Sequence, residues 1–174
     1  MDQGKVSGGH MANDFINIIE RSLIDELRAK FPNCSVYGQY PEAVNATWPA
    51  IILEMVGSGT EQKFMGEKVT FGSSNTSSTG EIYGVVYVVH LVIDKDSQIN
   101  VDNSGTIEGY KQRRLLNYLM LNVSNSLQDM DFPDTVQITE RHLQSWANVG
   151  FASDLELWGA TATLGVLFEN YREV

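Results

Sequence analysis

The chain has 174 residues, 43% of them hydrophobic and 20% charged, with a net charge of −10 and a pI near 4.6. One domain of this size buries enough surface to fold without metals or disulfides, and the single cysteine, Cys34, has no partner in its own chain. The charge excludes a protein that grips nucleic acid by neutralising phosphates, but not one that DNA slides past without adhering. No apolar run is long enough for a membrane span, and the first residues carry no apolar signal core.

Residues 1–12, with Gly8-Gly9-His10-Met11, read as a linker outside the fold, and residues 13–174 as one domain. The first element is "NDFINIIERSLIDELRAKF". Asn13 or Asp14 suits its N-cap. Phe15, Ile19, Leu23 and Leu27 recur every fourth residue, which predicts an amphipathic helix stopped by Pro32.

Cys34–Gly38 is then a short strand and 41–47 a loop. Pro49 opens a strand over 50–57, since proline is tolerated at a strand's first residue. Cys34 reads as a small half-buried residue and not a catalytic thiol, because no cysteine-enzyme signature surrounds it. Glu54 is a lone acid on a half-exposed strand face.

Residues 57–80 read as a long loop. Loops of this length tend to be functional or disordered. Apolar Phe64, Met65, Val69 and Phe71 stand in its polar surroundings, with Lys63 and Lys68 among them, and 68–71 is able to pair as a strand of an extended arm. The alternative is that Phe64 and Phe71 fold back as lids on the core.

Glu81–Asp94 is the longest strand expected, roughly 40 Å or more. Both of its faces are apolar, which predicts a central strand covered on both sides. "KDSQINVDNSGT" is a turn-rich connection. Thr106 caps a second helix, Ile107 to about Met130, with the stripe Leu115, Leu119 and Val123. Lys111, Arg113 and Arg114 at its start oppose the helix dipole. They are solvated, or they meet an acidic neighbour.

After Phe132-Pro133-Asp134, "TVQITERHLQSW" reads as a strand with Val136 and Ile138 toward the core and Gln137, Thr139 and Arg141 away from it. "ANVGFASD" turns the chain back. Leu155–Phe168 is the last strand, and "ENYREV" a charged tail.

No catalytic motif stands out. "GSGT" lacks the Lys-Ser/Thr of a phosphate loop. His90 and His142 have neither a nucleophile nor metal ligands at recognisable spacing. Asp94 and Asp96 flank a lysine in an ordinary turn. The balance favours a non-enzyme with no cofactor and no metal.

The order is α-β-β-β-α-β-β, an α+β fold with a mixed, mainly antiparallel sheet of about four to five strands and two helices on one face. That order, the loop between the second and third strands, and "VYGQYPEAVNATWPAIILE" together resemble the tail terminator proteins of tailed bacteriophages and the related tail-completion and neck proteins. The likeness spans residues 13–171 and is one of architecture, with no diagnostic motif. It implies a structural virion protein assembled in the host cytoplasm, forming a ring, usually a homohexamer, that caps the tail tube and joins it to the neck and head. It implies as partners other copies of the chain, the tail tube protein and a neck or head-completion protein, with no sequence-specific nucleic acid and no membrane. Phe64, Met65 and Phe71 are then arm anchors, and Lys63, Lys68, Arg113 and Arg114 charge partners between acidic subunits. The competing expectation is a small α+β enzyme or ligand-binding domain, with 57–80 as a lid over a pocket ringed by His90, His142 or Glu54.

Overall fold

A computed structural model of the chain describes residues 10–42, 46–63, 69–70 and 77–173. Helix α1 (His10–Lys30) is followed by strands β1 (Ser35–Tyr37), β2 (Ala50–Lys63), β3 (Val69–Thr70), β4 (Ser77–Asp94), β5 (Gln98–Asn103) and β6 (Thr106–Lys111). Helix α2 (Gln112–Asp129) and strands β7 (Ile138–Leu143), β8 (Ala147–Ala152) and β9 (Leu157–Glu173) complete it. The fold is α+β. A main sheet runs β1-β2-β4-β9-β7, with β3 added beside β4 and β8 beside β9, and β5 and β6 make a separate hairpin. Only β1 and β2 are parallel; every other pairing is antiparallel.

Both helices lie on one face. The α1 stripe Ile19, Leu23 and Leu27 and the α2 residues Leu115, Leu116, Leu119, Val123 and Leu127 are fully buried. They form one cluster with Val85, Tyr87, Val89, Leu91 and Ile93 of β4 and with Leu164, Val166 and Phe168 of β9. These strand positions alternate, so a single face of the sheet supplies them.

Several expectations need correcting. Helix α1 starts at His10, three residues before the expected Asn13 cap, because Met11 and Ala12 are compatible with helix and nothing breaks it. Helix α2 starts at Gln112 and not Ile107. Asn103-Ser104-Gly105-Thr106 is instead a two-residue hairpin turn with φ of 54° at Ser104 and 90° at Gly105, so Thr106–Lys111 pairs back on β5. Ile107, expected inside the helix, is a strand residue 74% exposed.

"ANVGFA" is strand β8, paired with β9; the turn comes after it. The final strand continues through the tail, with Glu169–Glu173 opposite Ser78–Ile82. The expected loop 57–80 is in part strand: β2 runs on to Lys63 opposite Glu81, and Val69-Thr70 pairs with Ser77-Ser78 as an arm strand. Alternation is weak in "GSGTEQK", so backbone pairing with β4, and not an apolar pattern, makes it a strand.

Val136 and Ile138 do pack toward the core, but Arg141 lies on that same side. An irregularity between Ile138 and Glu140 inserts Thr139 without a partner and moves the following residues by one face. Arg141 thereby reaches the C-terminal end of α2, where it donates to the Met130 carbonyl at 2.6 Å and to that of Gln128. A cation bonded to the last carbonyls favours that helix end.

Candidate assembly surfaces

The long central strand is not covered on both sides. Val85, Tyr87, Val89, Leu91 and Ile93 meet the helices and are fully buried. Val86, Val88 and Val92, on the other face, are only half-buried. Beside them on β9 stand Gly159, Thr161, Thr163, Gly165 and Leu167, with Gly57 on β2. Neither helix lies over this side, so apart from the Tyr40 segment no described element covers this apolar-to-small surface.

The sheet also outruns its helices. The buried core ends at Val85 on β4 and Phe168 on β9. Beyond it β2, β4 and β9 stay paired as far as Lys63–Glu81 and Ser78–Glu173, with β3 alongside. That extension is an arm of sheet held by backbone pairing.

Of the residues singled out in the sequence, Lys63 ends β2 on this arm. Phe64, Met65, Lys68 and Phe71 lie outside the described residues. Arg113 is exposed in the first turn of α2, which has no side-chain cap and no acidic residue in that turn. Arg114 turns back on its own hairpin: it bonds the Glu108 carboxylate and lies 4.0 Å over the Tyr110 ring. α2 follows β6 at the Asp94 end of β4, whereas Lys63 sits at the Glu81 end, so the arm and the two arginines do not form one patch.

Of the residues named for the alternative pocket, the structure brings His90 and Glu54 together and adds Tyr40, which the sequence did not single out. The Tyr40 hydroxyl lies 3.1 Å from His90 Nδ1, and the two rings meet edge to face at 4.8 Å. On the other side of His90, Nε2 lies 3.4 Å from Glu54 Oε2. Nε2 is enclosed yet, among the described residues, not aligned to bond anything. Partial burial, and then the Glu54 charge, push the Tyr40 phenol above its ordinary value. The Tyr40 hydroxyl and His90 Nδ1 share one hydrogen bond, and the other ring nitrogen faces Glu54. No spacing advertised this arrangement, because its members come from a loop and two different strands. His142 is exposed and elsewhere, beside Gly165 on the far side of β9.

Tyr40 is disfavoured as a phenolate, and outside the cluster burial pushes the Cys34 thiol up to about 12. Among the described residues no three His, Cys, Asp or Glu side chains converge to hold a metal. What the arrangement does is pin the segment carrying Tyr40 to the open face, over the row where Ile52 pairs with His90 and is fully buried. No helix among the described residues is long and apolar enough to cross a membrane. Compared with known proteins, the chain matches no family model and no curated protein.

Proposed function

We propose that this chain is a structural subunit of a tailed-phage virion, a tail terminator whose copies close into a ring on the tail tube and connect it to the neck and head. It works by binding and not by catalysis. The observation that carries the reading is the sheet face that neither helix covers, with Val86, Val88 and Val92 only partly buried on it, and the paired strands that continue that sheet as an arm; both suit contact with other chains. The layout also suits the resemblance noted in the sequence, with two helices on one side, a short strand followed by a Pro-containing loop and a strand that Pro49 opens, and the arm between that strand and the next long one. A surface with net charge −10 repels a polyanion, which suits a channel that DNA crosses without sticking. A neck or tail-completion protein is the nearest variant of the same reading.

The test is co-sedimentation with purified tail tubes of a matching phage. A terminator binds the tube end in ring stoichiometry and stops further tube growth. Failure to bind tubes from any matching phage, by a chain that is folded, overturns the tail reading.

A second reading, a small enzyme or ligand-binding domain, draws on Tyr40–His90–Glu54. It predicts that His90→Ala abolishes binding of a small ligand while leaving self-association unchanged. Against it, residues 57–63 and 77–80 of its supposed lid are paired strands.

A further inference from the structure

The main sheet has two unfinished edges on opposite sides. At one, β1 pairs only with Ala50–Ile52 of β2, and no described strand pairs with the outer edge of β2 from Leu53 onward. At the other, β7 pairs with β9 alone. Unpaired strand edges present rows of N–H and C=O groups ready to bond another chain. Natural sheets usually guard them with charge or proline, yet "MVGSG" (Met55–Gly59) carries neither.

The two edges are level. Row by row across the sheet, Gly57 pairs with Val86, Val86 with Gly165, and Gly165 with His142. Likewise Ser58, Val85, Val166 and Arg141 share a row, as do Gly59, Gly84, Leu167 and Glu140. Their sense also fits. β2 and β9 run one way, β4 and β7 the other, so a second copy placed beside the first in the same orientation sets its β2 antiparallel to the first copy's β7. β2 carries irregularities at Val56 and Glu61 and β7 one at Thr139, and none of them falls within the three rows just named.

Glycines mark the place. A side chain built on Gly57 or Gly59 would meet nothing within 4 Å, and Gly105 is the glycine with positive φ among the described residues. Neither crowding nor positive φ within one chain therefore requires glycine at 57 or 59, although Gly57 does follow the irregularity at Val56. Glycine inside a strand often marks close approach of another backbone. Next to them Met55 and Val56 are 45% and 55% exposed, large apolar side chains on a free edge. In the level arrangement Met55 of one copy shares a row with Leu143 of the next, beside Trp146, which hangs from α2 by its bond to the Met120 carbonyl. The polar residues also line up. Glu54 shares a row with Gln144, whose N–H bonds the Thr163 carbonyl, and is diagonal to His142 on the same face.

We infer that copies of this chain join head to tail by strand addition, the Met55–Gly59 edge of β2 pairing antiparallel with the Glu140–Leu143 edge of β7 in the next copy. The contact is heterologous: it uses two different patches and leaves each copy with one edge free, so it ends only by closing into a ring. The inference rests on the self-assembling reading above but not on the tail.

The test mixes two single variants, Glu54→Cys and Gln144→Cys, each in a Cys34→Ala background, under mild oxidation. A disulfide then forms only between different copies. The expected result is a cross-linked dimer from the mixture and none from either variant alone. Alongside it, Gly57→Leu with Gly59→Leu keeps the folded monomer, since both sites are open, and cuts assembly at least tenfold in concentration. Leu121→Glu, on exposed α2, leaves assembly unchanged. Oligomers that form without the cross-link and tolerate the leucines overturn the edge contact and leave the tail reading standing. A strict monomer at every concentration overturns the edge contact as a self-sufficient one, and tube binding then decides the tail reading separately. Cross-linked rings that ignore tail tubes sustain the contact and sink the tail.

Discussion

Val85 and Val86 are neighbours on β4 with identical side chains, yet the first is fully buried and the second half-exposed. The same division runs along the strand, valine against valine, from Val85/Val86 to Val89/Val88. Side-chain chemistry does not separate the two faces; what separates them is which face the two helices reach. The covered face is completed by the two helices, whereas Val86, Val88 and Val92 on the open face have no helix over them, and the paired strands that continue the sheet are polar in sequence.

The sharpest way to break that comparison is truncation on each side. Leu116→Ala or Leu23→Ala leaves a cavity in a fully buried cluster and should cost about 2–5 kcal/mol of folding stability in urea titration. Val88→Ala on the open face should cost under about 1.5 kcal/mol in the isolated chain while lowering assembly. Equal costs for both would mean that the open face is already covered within one chain.

Arg141→Ala tests the irregular β7 edge. It removes charge-assisted bonds to the Met130 and Gln128 carbonyls and should cost roughly 1–2 kcal/mol, whereas Arg141→Lys recovers part of that. No loss would mean that solvent satisfies the α2 end equally well.

Cys34 gives a pH signature. Its folded thiol is pushed from 9.0 up to about 12 by burial. The folded state therefore holds its proton longer than the unfolded chain. The stability it contributes is intact below pH 9 and declines as pH rises from there toward 12. Cys34→Ala should flatten that decline in thermal melts, and an aromatic disulfide reagent at pH 8 should label the wild type slowly when folded and quickly in urea.

The smallest effect belongs to Tyr87. It is fully buried, its hydroxyl finds no bonding partner among the described residues, and burial, then Glu20, push its ionisation up. Tyr87→Phe removes a desolvated hydroxyl at almost constant shape and should be neutral or slightly stabilising. A loss above about 1 kcal/mol would reveal a bond to that hydroxyl.

The legible parts of the fold were those written in side-chain periodicity. The α1 stripe Ile19, Leu23 and Leu27, the α2 stripe Leu115, Leu119 and Val123, and the strand that Pro49 opens are where their apolar spacing puts them. The illegible parts depend on backbone pairing or on turn geometry. Ser104-Gly105 makes a hairpin where Thr106 looked like a helix cap, and β8 pairs with β9 although "ANVGFA" reads as a turn. Thr139, one inserted residue, reverses the face of Arg141. The open side of the sheet was missed although two helices on one face already imply it: the apolar alternation of β4, taken alone, made both faces look covered. The edge glycines were visible as residues, and their meaning appears only once the space around Gly57 and Gly59 is known to be empty.

The account turns on whether these chains complete the sheet for one another. Light scattering on size-exclusion fractions, over a range of protein concentration and salt, measures that directly. A discrete closed oligomer is predicted, six copies if the phage likeness holds, and it should gain population with salt because the −10 charge of each copy is then screened. A monomer at every concentration and salt, unchanged when tail tubes are added, would contradict it.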